Sequence, residues 1–89
     1  PTLKVEPESY NVCENEPVKL SCVVKEGFSQ PFVVWKNKSD GKELNSSRSN
    51  YTEYIIGQVK MHHSGDYICL ARNTFGSANK TATLHVKCE

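Results

Sequence analysis

Gly65-Asp66-Tyr67-Ile68-Cys69-Leu70-Ala71-Arg72-Asn73 is the stretch that decides the fold of this 89-residue chain. Tyr67, Cys69 and Ala71 occupy every second position, the period of a β-strand with one buried face. Cys22 stands 47 residues upstream of Cys69 in a second alternating run, Val18, Leu20, Cys22 and Val24. Trp35 follows Cys22 by thirteen residues. Two packed sheets lie about 10 Å apart, so a disulfide at mid-core leaves room beside it that one large indole fills. Cysteine, tryptophan, cysteine in this order marks a two-sheet β-sandwich.

Working outward, the rest of the chain alternates in the same way, and no apolar period suits a helix. Leu3 and Val5 open a first strand that Pro7, unable to donate to a ladder, kinks or switches to another edge. Tyr10 to Cys13 is extended and Glu14-Asn15-Glu16-Pro17 turns it. Asn15 tolerates left-handed backbone better than other non-glycine residues. Beyond a loop from Gly27 to Pro31, Val33 and Trp35 point inward, and Asp40-Gly41 is a turn signal. Asn45 to Asn50 is polar and reads as loop. Tyr54, Ile56 and Val59 form one more inward set, and Ala82, Leu84 and Val86 the last. With no repeat and no linker, residues 1–89 read as one domain.

Composition bounds the partners. The net charge is +1 and 37% of residues are hydrophobic, with acids and bases interspersed. No basic run points to nucleic acid, and no apolar stretch is long enough to enter a membrane. Pro1 leads into strand-like sequence rather than a signal peptide. The domain is therefore expected to be a fragment of a larger ectodomain, with any signal or anchor outside it. None of the four cysteines, Cys13, Cys22, Cys69 and Cys88, is spaced as in a zinc knuckle, and His62, His63 and His85 do not complete one. No metal and no cofactor are expected. Two disulfides and an oxidising compartment fit better.

Four sequons agree: Asn37-Lys38-Ser39, Asn45-Ser46-Ser47, Asn50-Tyr51-Thr52 and Asn79-Lys80-Thr81. Chance pairing of seven Asn with fourteen Ser and Thr gives roughly one such motif. N-linked glycans on at least two of the four are expected, with Asn45 and Asn50 the best placed and Asn37 the least.

Tyr54-x-Ile56-x-x-Val59 followed by Gly65-x-Tyr67-x-Cys69-x-Ala71-x-Asn73-x-x-Gly76 resembles an I-set immunoglobulin domain. Val18-Lys19-Leu20-Ser21-Cys22 and Trp35-Lys36-Asn37 fit its earlier strands, so the likeness runs from about Leu3 to Val86. It implies an all-β, two-sheet Greek-key sandwich with Tyr67 as the corner tyrosine, its hydroxyl bonded back to the chain. Only 33 residues separate Trp35 from Cys69, too few for the extra strand pair of a variable-type domain. The resemblance also implies the pairing Cys22–Cys69 with Cys13–Cys88, because the segments ending at Cys13 and Cys88 run side by side in that fold; the alternative for Cys88 is a partner in a following domain. It departs at His63, where the family has an Asp that pairs with an Arg. Arg48 stands near the partner position, so His63 is expected beside Arg48, with no ion pair.

The chemistry points away from catalysis. His62 and His63 precede a turn with no nucleophile motif beside them, and His85 alternates outward. If Trp35, Cys69 and Ala71 point inward, Phe32, Val34, Lys36, Ile68, Leu70 and Arg72 point outward on the same sheet. This face is expected to hold Leu70 near Thr81 and Ile68 near Thr83, with Asn79 beside Arg72. Such a face is either a protein-binding interface or an apolar patch of the size a monomer tolerates. The function implied is an extracellular module for adhesion or ligand recognition by a surface receptor, homophilic or heterophilic. The alternatives are a passive spacer in a tandem array and a secreted soluble decoy. Peptide mapping without reduction should return Cys22–Cys69 and Cys13–Cys88 peptides; a Cys13–Cys22 peptide overturns the pairing.

Overall fold

The computed structural model describes residues 3–6 (backbone only), 9–24, 31–74 and 76–87. The kink at Pro7, most of the loop from Gly27 to Pro31 and the pairing of Cys88 lie on residues outside that description. The strands are β1 Leu3–Glu6, β2 Ser9–Cys13, β3 Val18–Val24, β4 Phe32–Asn37, β5 Glu43–Ser47, β6 Tyr51–Ile56, β7 Gly65–Asn73 and β8 Gly76–Lys87, with a 3₁₀ turn at Met61–His63 before β7.

Two sheets form, in the orders β1-β3-β6 and β2-β8-β7-β4-β5. All pairings are antiparallel except β2 with β8. The chain thus changes sheets between Glu6 and Ser9. β3 is buried at Val18, Leu20, Cys22 and Val24, as its alternation requires. Val33, Trp35, Tyr67, Cys69, Ala71, Ala82, Leu84 and Val86 face it from the larger sheet, and Ile56 and Val59 close the same core. Cys22 and Cys69 are bonded, with Cα atoms 6.4 Å apart, and both are fully buried with Trp35, Leu20 and Leu84. Closing a loop of that length contributes about 4 kcal/mol in the chain-entropy account. Cys13 is also disulfide-bonded, and no described cysteine is free.

Turn chemistry sets the sheet ends. Asn15 adopts φ 75°. Its N–H donates to the Val59 carbonyl at 2.7 Å, and the Val59 N–H donates to the Glu16 carbonyl at 2.9 Å. The Lys60 ammonium donates to the Asn15 side-chain oxygen. This turn therefore fastens the β2–β3 link to the segment after β6. Tyr10 ties the sheets at another point: it is buried, and its hydroxyl accepts from the Ser21 N–H at 3.2 Å.

The polar stretch expected to loop from Asn45 to Asn50 does so only over residues 48–50; residues 45–47 are strand. Gly41 takes φ 72°, and its N–H donates to the Asn37 carbonyl at 2.7 Å, folding the chain back. β5 then pairs with β4, setting Val33 opposite Ser47, Val34 opposite Ser46 and Trp35 opposite Asn45. Leu44 is its one apolar residue and packs on the core. An edge strand needs little more, and polar side chains protect its free side from further pairing. Composition alone reads such a strand as loop.

The corner before β7 is made by Tyr67, whose ring is buried and whose hydroxyl donates to the His63 carbonyl at 2.5 Å. Burial raises its pKa, so the phenol keeps the proton it donates. Tyr67→Phe should keep the ring packing and lose about 1 kcal/mol, from a neutral, part-buried hydrogen bond. Chemical denaturation of both proteins checks it, and an unchanged midpoint means the corner bond adds nothing.

Candidate binding face of the five-stranded sheet

Because Trp35, Cys69 and Ala71 point inward, the residues between them point out. Phe32 stands opposite Arg72, Val34 opposite Leu70 and Lys36 opposite Ile68. On the other flank of β7, Leu70 stands opposite Asn79, Ile68 opposite Thr81 and Arg72 opposite Ser77. The expected register was two residues out on this flank, since Leu70 was placed near Thr81 and Ile68 near Thr83. Residues after a turn can be counted from either side of it, and sequence does not fix which pair closes the β7–β8 hairpin. Asn79 is accordingly not displaced toward Arg72: it is exposed and directly across from Leu70.

The face is less open than parity alone suggests. Val34 is only 6% exposed although it lies outside the core cluster, and Phe32, Ile68 and Leu70 are half-buried. The guanidinium groups of Arg48 and Arg72 lie 5.6 and 5.5 Å from the centre of the Phe32 ring, within cation–π range. Val34, Leu70 and Phe32 floor a groove of about 250 Å³ whose rim carries Lys36, Arg72 and Glu43. Further down, the Lys38 ammonium reaches Thr81 Oγ1 at 3.5 Å, and the Thr83 hydroxyl donates to Asp66 Oδ1 at 3.0 Å.

Arg48, Glu43 and Ser77 were not read as part of this face. Arg48 follows the unanticipated edge strand, and nothing in its local sequence shows that the chain returns it to Phe32. The expected neighbourhood of Arg48 and His63 is corrected by the same geometry. Arg48 sits over Phe32, the first residue of β4, which pairs with the far end of β7 from His63. His63 instead receives the Lys60 N–H on Nδ1 at 2.8 Å, and its ring lies tilted by 38° against that of His62 with centroids 4.2 Å apart. Burial holds its pKa below the usual 6.5, and the neighbouring His62 and Lys60 charges push the same way.

Large apolar side chains are more exposed elsewhere: Ile55 and Tyr51 on the outer side of the three-stranded sheet, at 61% and 38%, and Met61 in the 3₁₀ turn. None of the three lines the groove floored by Val34 and Leu70. Among those residues no group of three His, Cys, Asp or Glu could hold a metal ion, and no helix is long and apolar enough to cross a membrane.

The sequons differ in what their amides do. The Asn45 side-chain NH₂ donates to the Glu53 carbonyl of β6, bridging the two sheets at the open edge. Asn37 Oδ1 accepts from the Ser39 N–H and hydroxyl at 3.0 and 2.8 Å. Asn50 and Asn79 are exposed.

Comparison with known proteins agrees with this geometry. A family model described as immunoglobulin domain matches residues 1–73. Human hemicentin-1 is 33% identical over 97% of the chain, and the chicken cell adhesion molecule DSCAML1 is 34% identical over the same share. The chain spans 2% and 4% of those proteins' lengths. The crystal structure of the four N-terminal Ig domains of Dscam1 isoform 8.4 superposes with a TM-score of 0.75 at 27% identity, covering 96% of this chain and 20% of that one.

The His63 environment gives a pH test. Its folded pKa is lowered, so the unfolded chain binds the proton more readily, and stability is lost as pH falls below about 6.5. The denaturation midpoint of the wild type should fall more between pH 7.5 and 5 than that of His63→Gln. Equal falls rule out the His63 contribution.

Proposed function

The chain belongs to the immunoglobulin domain family, a family of binding and structural modules rather than enzymes, and on that premise we propose that it binds a protein partner as part of an extracellular adhesion molecule or surface receptor. One observation carries the reading: an apolar floor of Val34, Leu70 and Phe32 that lies outside the core and is ringed by cations. Folding alone gives no reason for a sheet's outer side to place Ile68 and Leu70 beside one another on β7. A binding face does, because a desolvated apolar centre inside a polar rim supplies most of the affinity of an interface.

The rim selects the partner's chemistry. Lys36, Arg48 and Arg72 surround the floor against the single carboxylate of Glu43. A protein segment that lays an apolar side chain on Leu70 and a carboxylate beside Arg72 complements it in shape and charge. Two of the similar proteins bear adhesion in their names or belong to tandem Ig arrays, which supports this reading. Placement outside the cell is supported by the buried disulfide and by the excess of sequons. The segment would then be one domain, residues 1–89, of a larger ectodomain.

The stacking of two guanidinium groups on Phe32 favours a second reading, in which the face is already covered by its own side chains and the domain is a spacer. One experiment separates the two. Cells displaying the full-length parent carry either the wild type or Ile68→Ser with Leu70→Lys, and adhesion is scored after circular dichroism has shown the variant domain folded. Loss of one central apolar contact and its neighbour should weaken binding by about 2 kcal/mol or more, roughly thirtyfold. A folded variant that adheres like the wild type removes this face from the interaction and leaves the spacer.

A further inference from the structure

Asn79 stands on the same outer face, directly across from Leu70, and it heads the sequon Asn79-Lys80-Thr81. We propose that Asn79 carries an N-linked glycan whose first sugars lie on Leu70 and Val34, so that its presence or absence sets whether the binding face is open. The inference rests on the proposed use of that face.

The position favours both attachment and coverage. Among the described residues β2 pairs with β8 only from Thr83 to Lys87, and no strand there pairs with the outer edge of the half of β8 that holds Asn79. Asn79 is exposed, and no hydrogen bond ties its side chain among the described residues, whereas Asn45 spends its amide on Glu53. Side chains directly opposite in an antiparallel pair have Cβ atoms about 5 Å apart. A sugar joined to the Asn79 amide therefore starts within reach of Leu70, and Val34 is the next residue across the sheet. The less polar side of an N-acetylglucosamine ring, with its acetyl methyl, suits that floor, and its hydroxyls reach Arg72 and Ser77.

The attachment is a group transfer without redox change. The Asn79 Nδ2 forms a bond to the anomeric carbon of a lipid-pyrophosphate-linked oligosaccharide. The bond from that carbon to the pyrophosphate oxygen breaks, the lipid pyrophosphate leaves with the electron pair, and one amide proton passes to a base of the transferase. The asparagine keeps one N–H. A chain glycosylated here presents sugar where an unmodified chain presents Leu70, so the two forms correspond to the spacer and the binder.

The full ectodomain secreted from eukaryotic cells tests this in wild type and in Asn79→Gln, with 8-anilinonaphthalene-1-sulfonate as probe, an apolar anion matched to the groove and its cations. Peptide mass should show glycan on Asn79. The wild type should bind the dye at least tenfold more weakly than Asn79→Gln, and adding Leu70→Lys to Asn79→Gln should abolish the difference. Nuclear Overhauser contacts between the acetyl methyl of the first sugar and the Leu70 and Val34 methyls provide the second measurement. An unmodified Asn79, or absent contacts with equal dye binding in both proteins, overturns the proposal. The adhesion role fails separately: Asn79→Gln that binds dye through Leu70, in a parent whose adhesion ignores Ile68→Ser with Leu70→Lys, keeps the glycan cover and discards the binder.

Discussion

Everything on the five-stranded sheet follows from one covalent constraint, the bond between Cys22 and Cys69 in a core too small to tolerate a slip. A one-residue shift of β7 would carry Cys69 to the solvent side and put Ile68 in its place. The disulfide forbids that shift, and Trp35, fully buried in the same core, leaves no space for it. Parity then passes from β7 to both its neighbours through the pairings Trp35 with Cys69 and Cys69 with Lys80. The outward positions of Leu70, Val34 and Asn79 are thus consequences of the core, although none of the three contributes to it.

A second set of contacts fixes where the sheets end. Asn15, Val59, Lys60, His63 and Tyr67 lie together at one end, joined by hydrogen bonds that run from the β2–β3 turn to the corner before β7. Left-handed backbone at Asn15 is what lets its N–H meet Val59. The opposite end carries a looser device, Phe32 with two guanidinium groups within reach of its ring. The two ends differ in kind: backbone carbonyls and amides hold the first, while exposed cations on a ring hold the second and can yield to a partner.

How legible this was depended on whether a feature answers to short-range alternation. The buried sets of β3, β4, β7 and β8 were plain, because a residue's face is decided by whether it lies an even or odd number of positions from a cysteine or tryptophan. The turn at Gly41 and the strain-tolerant Asn15 were equally plain, as single residues whose backbone preferences act locally. Edge strand β5 was missed because its stability comes from pairing with β4 and from one apolar residue, Leu44, in a run of polar ones. The partner of Arg48 was missed for a related reason, since where a side chain lands after an unrecognised strand is a matter of tertiary path.

The error of two residues in the β7–β8 register has the largest functional weight. Parity survives a shift of two, so every residue stays on its own face, although the core side chains that meet would change. Nothing in the hydrophobic pattern could have revealed it. What changes is which neighbours share the outer face: with Leu70 opposite Thr81, a sugar on Asn79 would stand at the margin, and with Leu70 opposite Asn79 it stands at the centre. An even shift is invisible to alternation and decisive for recognition. For that reason the sequence of a sandwich strand can specify its core fully while leaving open which surface groups meet, and so what the surface does.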